Sequence, residues 1–209
     1  MEMDTEMKTG TTETGKKESG AAKNPFLDVK ESDWFYEAVL DVNERGLMTG
    51  IQPQMFGPSD DLIRAQAAVV LYRMAGCPKT AYEERFPDVP EGQYYTEAVI
   101  WASKNGIITG YTGSGTFGPS DPITREQLAT LLYRYAKYKG YDTEIKGAGI
   151  ESYPDRRLVS LYAQEAMGWC AEKGIIAGNA DTDLLIPLRK AVRAVCAVCV
   201  SRFIKAVQQ

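Results

Sequence analysis

The chain reads as an all-α protein made of three tandem helix–loop–helix repeats. A pattern of fifty-odd residues is written three times. Apolar residues fall at helical spacing in every copy, and no alternating strand pattern or hairpin signal competes. A repeat of this period fixes the architecture, because such units bury a full core only by packing on one another.

The register holds residue by residue. Phe26, Asp28, Glu37, Ala38, Val39, Gly46 and Gly50 become Phe86, Asp88, Glu97, Ala98, Val99, Gly106 and Gly110 at an offset of 60. A one-residue insertion then maps Phe56-Gly57-Pro58-Ser59-Asp60 onto Phe117-Gly118-Pro119-Ser120-Asp121, and Arg64 onto Arg125. An offset of 68 carries Ala98, Trp101, Gly106, Gly110, Pro119 and Arg125 to Ala166, Trp169, Gly174, Gly178, Pro187 and Arg193. Three units follow, at residues 26–77, 86–140 and 150–206, the third the most degenerate. Residues 1–24 hold almost only Thr, Glu, Lys, Gly, Ser and Ala, which predicts a disordered polar tail or linker. They contain no apolar core of a signal peptide.

The first helix of each copy has a buried stripe. It is Phe35, Ala38, Val39 and Val42 in copy one, Tyr95, Ala98, Val99 and Ala102 in copy two, and Ala163, Ala166, Met167 and Cys170 in copy three. Gly46, Gly106 and Gly174 follow, where a left-handed residue ends a helix. Short apolar pairs come next, then a loop. The second helix starts near Arg64, Arg125 or Arg193. In copy two, Thr124-Arg-Glu-Gln127 is a capping box. Six main helices are expected.

Composition narrows the function. A net charge of −4 and a pI near 5.1 argue against a nucleic-acid partner. Histidine is absent, which removes the commonest general base and zinc ligand. No apolar run approaches the eighteen or so residues of a membrane span. There is no phosphate loop, nucleophile elbow or carboxylate pair assignable to one cleft, so the chain is expected to be neither an enzyme nor a metal or cofactor protein. Cys196-x-x-Cys199 aligns with Leu128 and Leu131, and Cys170 with Ala102. These are core positions where cysteine acts as a small hydrophobe.

The Phe-x-Asp-Val openings, the aromatic pairs Trp34-Phe35 and Tyr94-Tyr95, Gly106-Ile-Ile-x-Gly110, Thr116-Phe-Gly-Pro119 and Ile123-Thr-Arg-Glu126 resemble the S-layer homology (SLH) family. The resemblance covers about residues 26–206 and is strongest in copy two. It implies three motifs packed as a pseudo-threefold helical unit at one end of an exported bacterial surface protein. It further implies non-covalent anchoring to the cell wall, through secondary cell-wall polysaccharide, often carrying a pyruvylated sugar, held in grooves between motifs. The cargo would lie outside this chain. The location implied is extracellular, at the cell wall or S-layer. The alternative is a protein–protein interaction module that keeps the scaffold and has lost glycan binding.

On this resemblance the glycan-binding arginines are Arg64, Arg125 and Arg193. The erosion of copy three, which has Leu185-Ile-Pro187 for Phe-Gly-Pro, makes its groove the least expected. The physical reading agrees. A helix N-terminus has free amides and partial positive charge, and an arginine there adds a fork suited to a carboxylate. Gly50 and Gly110 let backbone approach a ligand, and Trp34 and Tyr94 are sugar-stacking candidates. The competing reading pairs each arginine with a neighbouring acid, Asp60 or Asp121. Trp101 and Trp169 are expected in the core. Arg73, Arg134 and Arg202 are expected to complement the dipoles at helix ends. Asp28, Asp88 and Asp155 are expected to cap nearby amides.

Overall fold

The computed structural model describes residues 24–208; the proposed tail lies almost wholly outside them. The helices are α1 (Tyr36–Glu44), α2 (Arg64–Met74), α3 (Thr96–Lys104), α4 (Arg125–Lys139), α5 (Gln164–Glu172) and α6 (Arg193–Val207). Among the described residues there is no strand, only isolated bridges. The chain is all-α, as its periodicity predicts.

Local chemistry sets the helix ends. Gly46, Gly106 and Gly174 take φ of +68°, +67° and +67°, the left-handed turn that stops each first helix. Thr124 Oγ1 accepts from the Gln127 amide, and Gln127 Oε1 accepts from the Thr124 amide, closing the predicted box. Ile63 and Val192 stand at the matching caps of α2 and α6 and offer no side-chain acceptor.

The packing is staggered between copies. The first helix of each copy lies on the second helix of the copy before it: α3 on α2, α5 on α4, and α1 on α6. The last pair joins the two ends of the repeat array. Where the chain enters each second helix, three backbone hydrogen bonds form a closed cycle. Ile123 N donates to Leu62 O (2.9 Å), Ala191 N to Ile123 O (2.8 Å) and Leu62 N to Ala191 O (2.8 Å). All three residues are fully buried. Each unit therefore satisfies its neighbours' polar backbone in the interior, where an unpaired amide would cost about 1–3 kcal/mol.

One core cluster draws on all three copies and contains Phe56, Phe117, Trp101 and Trp169. Trp101 packs between Tyr72 and Tyr138, and Trp169 between Tyr133 and Phe203, at centroid distances of 5.5–6.1 Å. Both tryptophans are core residues, as expected. Cys170, Cys196 and Cys199 are buried free thiols. Burial pushes the Cys196 and Cys199 pKa values up to about 12 and about 11, which makes them unreactive.

Two expectations need correction. Arg134 and Arg202 are not in the last turn of their helices, which run on to Lys139 and Val207. The basic residues there are Lys137, Lys139 and Lys205, so only Arg73 has a last-turn position. The repeated aspartates do cap amides, but distant ones. Asp28 accepts from Phe56 N and Gly57 N, Asp88 from Phe117 N and Gly118 N, and Asp155 from Leu185 N and Ile186 N, all at 2.7–2.9 Å. Each carboxylate thus fastens the opening of its copy to the far end of the same loop, about thirty residues on.

Candidate functional site

The three first-turn arginines occupy equivalent positions, and each reaches into the loop of the next copy. Arg64 donates from Nε to Phe117 O and from Nη2 to Thr109 O, both at 2.7 Å. Arg125 donates to Leu185 O (2.7 Å) and Ala177 O (2.9 Å). Arg193 donates to Phe56 O (3.0 Å) and Thr49 O (2.7 Å), so copy three reaches back to copy one. No carboxylate lies within ion-pair distance of any of the three among the described residues, so the expected pairing with Asp60 or Asp121 does not form.

The amides at the helix starts are also occupied. Arg64 N and Ala65 N donate to Asp121 O and Pro119 O. Arg125 N and Glu126 N donate to Arg189 O and Pro187 O, and Arg193 N and Ala194 N to Asp60 O and Pro58 O. The expectation of free first-turn amides is therefore wrong. Carbonyls of the neighbouring turn use them for assembly, leaving the arginine side chains as the cationic groups available to a ligand. A guanidinium has five N–H donors. With Nε and one Nη2 hydrogen committed, the outer edge remains.

The grooves differ in openness. Arg64 and Arg193 are only 8% and 5% exposed. The Phe117 and Tyr111 rings cover Arg64 at 4.8 and 4.7 Å, and Phe56 covers Arg193 at 4.8 Å. Asp121 Oδ2 accepts from the Tyr111 hydroxyl (2.9 Å) and holds that ring over Arg64. Burial lowers the pKa of both arginines. Arg125 is half-buried, and among the described residues no aromatic ring covers it. It lines a groove of about 570 Å³ together with Trp34, Gly178, Ile186, Arg189 and Arg202. Copies two and three, with Trp34 of copy one, thus build the open site. Residues of the eroded third copy supply most of its wall.

The other expected residues fall as follows. Trp34 is 67% exposed on the groove rim, its ring edge-on to Phe35 at 5.4 Å. Tyr94 is 68% exposed and close enough to Arg193 to feel its charge. Gly50 and Gly110 are required by packing. A Cβ at Gly110 would stand 2.5 Å from the Phe86 ring, and one at Gly50 2.7 Å from Met55 O. They set the loop's shape from beneath. Arg189, Lys190 and Arg202 line the groove and were missed as site residues; the signal for Arg189 was its alignment with the acids Asp60 and Asp121.

Among the described residues the copies of this all-α array interlock through arginine, and an open cationic groove rimmed by an aromatic lies at Arg125. Comparison with known proteins gives this arrangement a family context. Residues 25–68 and 85–129 match the model of the S-layer homology domain. The chain is 32% identical over 164 residues to an endoglucanase of Bacillus sp. (strain KSM-635), covering 78% of this chain and 17% of that protein. It is 29% identical over 187 residues to the exoglucanase XynX of Acetivibrio thermocellus, covering 88% and 17%. It is 32% identical over 161 residues to an S-layer protein of Bacillus thuringiensis subsp. finitimus, covering 76% and 19%. The chain spans less than a fifth of each of these relatives. The matches to glucanases and to S-layer proteins cover a similarly small portion of each, so the names of the glucanases carry no activity over to this chain. The matches indicate the cell surface or cell wall.

Proposed function

We propose that residues 26–206 form an anchoring module of three S-layer homology motifs, the third at 150–206. It holds a bacterial surface protein to the wall by non-covalent binding of secondary cell-wall polysaccharide. The observation that carries this reading is the open groove at Arg125. It presents a guanidinium edge beside an exposed tryptophan, the pairing that an acidic sugar needs: a fork for a carboxylate and a flat apolar face for the ring. A pyruvate ketal would supply such a carboxylate. Trp34, Arg125 and the Ala177–Gly178 backbone would form the contacts, while Arg64, Arg193, Tyr94, Gly50 and Gly110 would shape two tighter grooves. The cargo is the rest of the surface protein.

A second reading is a protein–protein interaction module on the same scaffold. The closure of the Arg64 and Arg193 grooves favours it, as does an exposed apolar cluster of Leu158, Leu161 and Tyr162. Sedimentation with purified cell walls separates the two. The anchoring reading expects co-sedimentation that disappears once the non-peptidoglycan polymer is extracted. Unchanged sedimentation after extraction would move the interaction reading ahead.

A further inference from the structure

The three grooves share one backbone plan but not one charge. At the turn before each second helix, copies one and two carry Asp60 and Asp121, while copy three carries Arg189. The Arg64 groove is closed by Tyr111 held on Asp121. The matching residues around the Arg125 groove are Asn179 and Arg189, with Leu185 replacing the covering phenylalanine. The lid is gone and the acid has become a base.

The resulting groove is lined by Arg125, Arg189, Lys190 and Arg202 and, among the described residues, by no acidic side chain, in a chain of net charge −4. Lys190 is neutralised by Asp61 at 2.7 Å. Arg189 and Arg202 are exposed, and their side chains have no hydrogen-bond or ion-pair partner among the described residues. The Arg189 carbonyl accepts from the Arg125 amide, so the two backbones adjoin, and both residues line the groove. Burial lowers the Arg125 pKa; Cys199 and Asp155 oppose that lowering, while the like charge of Arg189 adds to it. Two guanidiniums that line one concave site repel each other, and an anion bound between them relieves that repulsion.

We propose that this groove holds a ligand with two anionic groups, one on Arg125 and the second on Arg189, with Arg202 flanking. The inference rests on the anchoring reading and narrows it. The bound polymer segment carries a second negative charge, either another carboxylate or a phosphate, next to the first. Arg189 is the residue that selects it.

The test measures binding of isolated secondary wall polysaccharide to the parent protein, to Arg189→Asp, which restores the acid of the sister copies, and to Arg189→Gln. The polymer is used native, carboxyl-reduced, and stripped of phosphate with hydrofluoric acid. The expected result is a loss of tenfold or more for Arg189→Asp on native polymer, with Arg189→Gln between and a shallower salt dependence. Whichever treatment removes the second charge should abolish the difference between parent and Arg189→Gln, which identifies the group. Arg189 is exposed and its side chain unpartnered, so both variants should keep the parent circular dichroism spectrum; if Arg189→Asp does not, Arg189→Gln decides. Both variants binding native polymer within twofold of the parent would overturn the proposal and leave the anchoring reading standing. Failure of the parent to bind any form of the polymer would sink both.

Discussion

Replacing Arg193 with alanine should destabilise the whole array, because Arg193 ties copy three to copy one. Its side chain makes two hydrogen bonds to the Phe56 and Thr49 carbonyls and stacks under the Phe56 ring, at 5% exposure. Hydrogen bonds from a charged donor contribute about 1.5–3 kcal/mol each, and a desolvated cation–π contact about 1–2 kcal/mol. Against this stands the cost of burying a guanidinium, several kcal/mol. The balance is a loss of about 3 kcal/mol, a sizeable share of the 5–15 kcal/mol typical of folded domains. Arg193→Met keeps much of the volume and none of the donors, so it should lose nearly as much. Arg125→Ala, at a half-exposed site, should lose about 1–2 kcal/mol. Urea unfolding followed by tryptophan fluorescence and by circular dichroism measures each. A loss under about 1 kcal/mol for both Arg193 variants would refute the claim that these arginines hold the repeats together.

Asp88→Ala leaves the Phe117 and Gly118 amides without their shared acceptor and should cost about 3 kcal/mol in the same urea assay, with Asp88→Asn costing about half as much. Ile186 takes φ +49°, where copies one and two have glycine at +71°, an unfavourable conformation for a β-branched residue. Ile186→Gly should therefore raise stability by about 0.5–1 kcal/mol, seen as a higher Tm, and a lower Tm would show that its packing outweighs the strain. An aromatic disulfide reagent should label exposed Cys77 in the native protein and reach Cys170, Cys196 and Cys199 only on unfolding; rapid labelling of all four thiols would contradict their burial.

Much of the scaffold was legible because it depends on local rules. The stripes that include Val39 and Val99, the stop at Gly46 and Gly106, and the Thr124 cap each follow from residues within one turn. The staggered packing was not legible. Periodicity says that a helix face is buried, not that α3 lies on α2 or α1 on α6. The aspartates were recognisable as amide caps, but their partners lie about thirty residues away, beyond any turn rule. The arginines stood out by recurrence. Their attachment to backbone carbonyls of the next copy was hidden, since a carbonyl has no sequence signature. The open groove was half legible. Aligning Asp60 and Asp121 with Arg189 shows the charge reversal, but not that Leu185 and Asn179 uncover Arg125.

On the proposed anchoring function, the Arg125 groove holds wall polysaccharide against the Trp34 ring. Titration calorimetry of isolated secondary wall polysaccharide into the parent protein and into Trp34→Ala tests it most directly. Trp34 is 67% exposed, so its removal should leave folding unchanged. Aromatic anchors of this kind contribute about 2 kcal/mol at binding surfaces, which predicts a loss of about thirtyfold in affinity. Equal binding by the two proteins would show that Trp34 does not hold the polymer, and no binding by the parent would refute wall anchoring through this groove.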